Sequence, residues 1–244
     1  MKKRLKIITI FLAFNASQTL EKFYHDFPKN LVDEIILVDD ASKDKTYMLA
    51  KKLGIHSYRN SFNLGYGGNM KKALNLALKA GADIIIDIHP DGEYKPSAIP
   101  LAIKKIKSGT EFILGNRFTT LDNPLRSGMY YWKWIPIRLL NYIDKIMLGV
   151  NLDDFHQGFR VYTAKMLEKI NYQVNSNNYL FSFELIAQAV YHKIRIAQVP
   201  VETSYIGKKR GASLKNSIKY ALGTFKVLGL FILARLGFKI NLFI

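Results

Sequence analysis

The 244-residue chain is 49% apolar and has no cysteine, so disulfides, Cys-ligated zinc and thiol nucleophiles are excluded. Any catalysis is left to carboxylates, imidazoles, hydroxyls and cations. Thirty-six Lys and Arg against nineteen Asp and Glu give a formal charge of +17, which calls for an anionic partner: phosphorylated substrates, phospholipid headgroups or nucleic acid.

The basic, apolar start, MKKRLKIITIFLAFNAS, has the make-up of a signal peptide. A first buried strand over 5–14 is the preferred reading, because alternating strands and helices follow it. Leu20, Phe23 and Phe27 share one face of a helix over 17–27, and a strand over 33–40 ends in carboxylates. A helix over 45–53, a short strand over 56–59, a glycine-rich turn, a helix over 69–80 and a strand over 84–88 come next. Beyond Gly109 the pattern predicts a strand over 111–114, an aromatic-basic stretch over 130–134, and helices over 136–148 and 181–191. The alternation predicts an α/β fold whose mostly parallel sheet is covered by helices on both faces. Ligands of such sheets sit beyond the carboxyl ends of the strands, which puts Asp39-Asp40 and His89-Pro90-Asp91 on one edge.

From Ser213 the pattern changes to long amphipathic helices, with Lys215, Lys219, Lys226, Arg235 and Lys239 set among Ile218, Leu222, Phe225, Phe231 and Leu236. The chain is therefore divided into a catalytic domain, 1–212, and a basic helical tail, 213–244. The uncharged run 227–234 falls far short of the roughly 20 residues of a spanning helix. The tail is expected to lie on a membrane surface; docking on its own core or on another subunit is the alternative.

Several segments carry chemistry. Val38-Asp39-Asp40-Ala41-Ser42-Lys43-Asp44 sets two carboxylates at a strand end, where one can accept from a ribose hydroxyl or a base N–H; helix capping is the other use of such a cluster. In Asn63-Leu64-Gly65-Tyr66-Gly67-Gly68-Asn69, glycines ahead of a helix let backbone amides approach a phosphate. The segment is neither a P-loop nor a dinucleotide fingerprint. His89, Asp91 and Glu93 alternate after a strand and can converge on one face, a donor set that suits Mn²⁺ or Mg²⁺ on a diphosphate; solvated surface carboxylates are the alternative. In Asp153-Asp154-Phe155-His156-Gln157-Gly158-Phe159-Arg160 a carboxylate, with Asp154 the candidate, can serve as general base to an acceptor hydroxyl. An ionised phosphate acceptor requires no strong base. Arg117, Arg126, Arg160 and Lys208-Lys209-Arg210 can pair with phosphates.

Phe14-Asn15, the Asp39-Asp40 segment, Asn63-Leu64-Gly65-Tyr66-Gly67, His89-Pro90-Asp91-Gly92-Glu93-Tyr94, Gly115-Asn116-Arg117 and Gly158-Phe159-Arg160 together resemble the inverting family 2 glycosyltransferases. Within that family they are most similar to the polyprenyl-phosphate sugar transferases typified by dolichol-phosphate mannose synthase. The resemblance runs from about Lys6 to Tyr205 and implies a GT-A, Rossmann-like fold. It also implies Asp40 near the nucleotide of a UDP- or GDP-sugar, Asp91 as metal ligand with help from Glu93, and Arg117 and Arg160 facing acceptor or phosphates. Phe14, Asn15, Asn63, Gly65, Gly68 and Arg210 complete the expected donor contacts. Three departures stand out: Ala16 replaces an acidic residue, His89 replaces the first carboxylate of an Asp-x-Asp motif, and the pair of C-terminal transmembrane helices common in these transferases is missing.

The expected activity is metal-dependent transfer, with inversion, of a sugar to a polyprenyl phosphate. Transfer to a growing polysaccharide or glycan, and a catalytically silent sugar-nucleotide-binding relative, are the rivals. The expected location is the cytoplasmic face of a membrane, as a peripheral protein, with a homo-oligomer admitted through the tail. Nucleic acid is not expected as a partner, since no nucleic-acid motif is present.

Overall fold

The computed structural model describes residues 4–119, 123–205 and 214–244. The first half alternates β1 (Ile7–Ala13), α1 (Leu20–Asp26), β2 (Glu34–Asp39), α2 (Thr46–Lys52), β3 (His56–Arg59), α3 (Gly65–Lys79), β4 (Ile84–Asp87) and α4 (Ile99–Lys107). The second half continues with β5 (Phe112–Asn116), α5 (Asn123–Arg126), α6 (Tyr131–Leu148), β6 (Arg160–Thr163), α7 (Ala164–Glu168), α8 (Phe181–Tyr191), β7 (Ile196–Pro200) and α9 (Leu214–Arg235).

Every residue of β1 is buried, as a central strand covered on both faces must be. Ile8, Ile10 and Leu12 enter one core with Met70, Ala73 and Leu74 of α3 and Phe181 and Phe183 of α8. Ile7, Phe11 and Ala13 enter a second core with Leu20 and Phe23 of α1 and Ile99 and Ala102 of α4. The two-residue side-chain period of a strand thus divides one segment between two layers. Strand order is β3-β2-β1-β4-β6-β5-β7. Among the described residues β6 is the one strand that runs antiparallel, pairing with β4 and β5, so the fold is the expected mostly parallel α/β sheet covered on both faces. Because β1 pairs on both sides, with β2 and β4, residues 7–13 are a core strand.

Five elements absent from the sequence pattern are α4, α5, β6, α7 and β7. The two strands are short and of mixed polarity, Arg-Val-Tyr-Thr and Ile-Ala-Gln-Val-Pro, and such runs leave no clear period. The glycine-rich segment is not a turn, since α3 begins at Gly65. The aromatic-basic stretch opens α6. The described tail is one long helix and a short 3-10 turn, Asn241–Phe243, not several long helices. Taken whole, α9 is 22 residues long and apolar enough to cross a membrane by length and composition. Its Val227, Leu228, Phe231 and Ala234 nevertheless pack into the first core, beside α6 and α8. The boundary expected at 212/213 lies outside the described residues.

Two glycine substitutions have opposite expected signs. A Cβ on Gly67 would stand 2.1 Å from the Ser176 carbonyl oxygen, so Gly67→Ala should lower the unfolding free energy by about 1–3 kcal/mol. Gly229 on α9 faces open space, and Gly229→Ala should raise it by about 1 kcal/mol. Urea unfolding of both variants checks the signs.

Candidate functional site

β1, β2, β4 and β5 end on one edge of the sheet, and antiparallel β6 starts there. Register places Arg160 opposite Asp87 of β4 and Leu114 of β5. The motif segments separated in sequence therefore meet where the expectation put them.

On the β1–β2 side, Asn15 and Ala41 adopt left-handed backbone, φ 52° and 58°, a conformation that non-glycine residues hold at a cost and mostly near functional sites. The Asn15 amide donates to Ser42 Oγ at 2.8 Å, and Asn15 Oδ1 accepts from the Lys43 amide at 2.9 Å. The Ala16 amide donates to Thr46 Oγ1 at 2.8 Å, so the loops after β1 and β2 are stitched together. Asp39 is fully buried, accepts from the Ser42 amide and hydroxyl, and lies 3.3 Å from Arg59 Nε. Burial pushes its carboxyl up, against the pull of Ser42 and Arg59. Asp40 Oδ1 accepts from Asn60 Nδ2 and the Leu64 amide, both at 2.8 Å. Asp40 thereby orders the loop over residues 60–64. Phe14 leaves its ring half exposed at this edge.

The phosphate cradle expected at Gly65 and Gly68 is corrected by the structure. The Gly65 amide donates to Asn63 Oδ1 at 3.0 Å, and the Gly67 and Gly68 amides both donate to the Asn177 carbonyl, at 2.9 and 3.3 Å. The amides of Gly65, Gly67 and Gly68 are thus taken up by the chain itself, and the glycines make room for residues 176–177.

His89, Asp91 and Glu93 do not converge as a ligand set, and no group of three His, Asp or Glu side chains suited to a metal ion occurs among the described residues. His89 turns inward, with Nε2 3.5 Å from Asp87 Oδ1. Burial would lower its basicity, but the Asp87 carboxylate overrides this and holds it raised. Asp91 is exposed, and its Oδ1 accepts from the Glu93 amide at 2.9 Å. Burial and the charge of Asp91 both push the Glu93 carboxyl up. This like-charged pair fits a hard divalent cation, which needs only one or two carboxylates when diphosphate oxygens and water complete its shell; His89 does not fit as a third ligand. Asp87, which no motif singles out, lies 3.4 Å from the Tyr162 hydroxyl and 3.9 Å from Arg160 Nη1. Arg160 Nη1 also reaches the Tyr66 hydroxyl at 3.4 Å, while its Nε has no partner among the described residues.

Asp154 is corrected as well. Arg117 clamps it through Nε at 2.7 Å, Nη2 at 2.8 Å and its own amide at 3.0 Å. Arg117 Nη1 donates to the Tyr205 hydroxyl at 3.1 Å. Both charges are buried, at 3% and 0% exposure, so Asp154 has no open oxygen for the proton of an acceptor hydroxyl. A Cβ on Gly158 would stand 2.8 Å from the Tyr94 ring, which explains the glycine of that motif. Arg126 is exposed; Arg210, with Lys208 and Lys209, lies outside the described residues.

Removing one charge of a buried pair strands the other, so Asp154→Asn should cost about 3–5 kcal/mol of stability, read by denaturant unfolding. Asp44 offers a pH test. Burial raises its carboxyl, but hydrogen bonds from the Thr46 hydroxyl and amide and the Ser17 amide outweigh that and bring it down to about 2, from 3.8. Its stabilisation is complete above about pH 4 and is lost as the pH falls towards 2. Asp44→Asn should flatten that part of the acid-unfolding profile followed by circular dichroism.

Residues 9–171 match the family Glycosyl transferase family 2. The UDP-N-acetylglucosamine–dolichyl-phosphate N-acetylglucosaminyltransferase of Methanococcus voltae is 26% identical over 218 residues, covering 82% of this chain and 86% of that protein. The polyprenol monophosphomannose synthase of Mycolicibacterium smegmatis is 24% identical over 203 residues, with 79% and 74% covered. In fold, the chain is similar to glucosyl-3-phosphoglycerate synthase from Mycobacterium tuberculosis, solved with Mn²⁺, UDP and glucosyl-3-phosphoglycerate, at a TM-score of 0.70 and 16% identity, covering 97% of this chain and 82% of that one. The matched span exceeds half the chain and contains the segments gathered on the carboxyl edge of the sheet, and the protein is a glycosyltransferase belonging to family 2, with the GT-A fold.

Proposed function

We propose that the protein moves a sugar, with inversion, from a UDP- or GDP-sugar to a polyprenyl phosphate at a membrane surface, assisted by Mn²⁺ or Mg²⁺. The observation that carries the acceptor class is the state of Asp154, whose oxygens are both held by Arg117. A saccharide hydroxyl calls for a base, whereas an ionised phosphate already bears its nucleophilic oxygen. The names of the Methanococcus and Mycolicibacterium relatives, which include dolichyl phosphate and polyprenol, agree with this reading.

In the reaction an acceptor phosphate oxygen bonds to the anomeric carbon from the face opposite the leaving group. The bond from that carbon to the diphosphate oxygen breaks, and the nucleoside diphosphate departs with the electron pair. Asp91 and Glu93 would hold the divalent cation, which when bound neutralises charge on the diphosphate; the M. tuberculosis structure with Mn²⁺ and UDP supports this choice of ion. Phe14 and Asn15 would face the nucleotide, beside the loop that Asp40 orders. Arg160 and Arg210 would supply cations to the phosphates.

Two helices support the membrane placement. On α6, Tyr131, Ile135, Leu139, Tyr142 and Ile146 are exposed at intervals of three or four residues; on α9, Leu214, Ile218, Leu222, Phe225 and Ile232 form a similar stripe that Leu236 continues just past the helix end. α6 and α9 pack against each other. Lys215, Lys219, Lys226 and Arg235 accompany the α9 stripe, a combination that favours an anionic lipid surface. With its opposite face docked in the core, α9 presents only one side to lipid, so it lies on the surface instead of crossing.

The deciding experiment is nucleoside diphosphate release from a panel of UDP- and GDP-sugars with Mn²⁺, with and without polyprenyl phosphate. Lipid-dependent release should fall on the order of a hundredfold in Asp91→Ala. Equal release with a saccharide acceptor, or none with any donor, would count against the assignment.

A further inference from the structure

The segment from Asp154 to Gly158 is gripped from three directions. Arg117 holds Asp154, and Asn141 Oδ1 of α6 accepts from the Phe155 amide at 2.9 Å. His156 is held at both ring nitrogens: Nε2 is 2.7 Å from Asp144 Oδ2 of α6, and Nδ1 is 3.0 Å from the Tyr220 hydroxyl of α9. With a carboxylate at Nε2, that nitrogen donates, and in the tautomer so fixed Nδ1 accepts from the Tyr220 O–H. Burial pushes the Tyr220 hydroxyl up, which keeps it protonated and able to donate. The imidazole stacks on Phe183 at 5.6 Å and 30°, and Tyr220 meets it edge-on at 5.4 Å and 88°. The side chains of His156 and Asp144 are 4% and 0% exposed.

Packing does not by itself account for this trio. A buried imidazole and carboxylate cost free energy to desolvate, and apolar side chains of the same volume usually fill such a space at least as well. The connections of the trio are more informative. The His156 carbonyl accepts from Arg117 Nη2 at 2.9 Å, and four residues further along the chain lies Arg160. Asp144 and Tyr220 sit on the inner sides of the two helices whose outer sides carry the exposed apolar stripes. α9 reaches in closely here, since a Cβ on Gly223 would stand 3.0 Å from Leu180 Cδ2.

We propose that Asp144, His156 and Tyr220 form a positioning relay that couples the seating of α6 and α9 on a lipid surface to the placement of Arg160, through the segment that Arg117 holds. The relay rests on the reading of these helices as the membrane-facing pair. A displacement of either helix is passed through the imidazole to the backbone that bears one arginine and bonds the other. The protein is then set for an acceptor phosphate when its helices are on the membrane.

Tyr220→Phe keeps the ring contacts and removes only the hydroxyl, so it isolates the relay. The full chain is compared with this variant by hydrogen exchange of the amides of residues 155–160, with and without vesicles containing anionic phospholipid, and by steady-state kinetics on polyprenyl phosphate in those vesicles. Vesicles should slow exchange at 155–160 in the wild type and leave it unchanged in Tyr220→Phe. The variant's kcat should fall roughly tenfold with the donor KM unchanged, and adding His156→Gln should cost little more, as expected of residues acting in one unit. Equal slowing in both proteins, no slowing in a vesicle-bound wild type, or no vesicle binding at all overturns the relay. Absence of turnover in the wild type overturns the assigned reaction alone, because the exchange measurement decides the coupling without it.

Discussion

The buried contact between Arg117 and Asp154 is the constraint on which the working edge of the sheet depends. A guanidinium and a carboxylate taken out of water are tolerated only when each satisfies the other and the remaining donors find partners. Asp154, Tyr205 and the His156 carbonyl provide those partners. Closing this contact fastens the end of β5 to the chain that enters β6, and β6 in turn carries Arg160 to the side of Asp87. A segment rich in chemically active residue types is thereby turned into scaffold, and its one outward consequence is where the arginines stand.

The same logic divides the carboxylates of the donor side. Asp39 and Asp40 are buried and engage Ser42, Arg59, Asn60 and Leu64, so they shape loops. Asp91 is exposed beside Glu93, and like charges that close together invite a cation. Burial, more than residue type, separates the acids that hold the fold from those available to a ligand.

α6 and α9 are two-sided in a stronger sense than ordinary surface helices. Their inner faces bury both apolar groups and the polar contacts to residues 155–156, while their outer faces leave large side chains in water. A helix with apolar residues on both sides is stable only if each side has a partner. The core of the fold supplies one of them.

Much of the layout was legible in the sequence. The run Ile7–Ala13 reads as a central strand because it is apolar on both alternating faces, and His56–Arg59 and Phe181–Tyr191 appear where periodicity puts them. Strand-end acids and the order of the motif segments located the edge that holds the site. Periodicity did not show the antiparallel β6, whose four residues owe their conformation to β4 and β5 on either side. Nor did it show that the glycines of α3 face a carbonyl, that His89 turns inward to Asp87, or that Asp154 is locked by Arg117. Local pattern reports how a segment partitions between water and core, and that was enough to place most of the strands and helices, while the ordered motif residues carried the family resemblance. Which polar group meets which depends on contacts between residues far apart in the chain, such as Arg117 with Asp154 or His156 with Tyr220, and only the tertiary structure decided those.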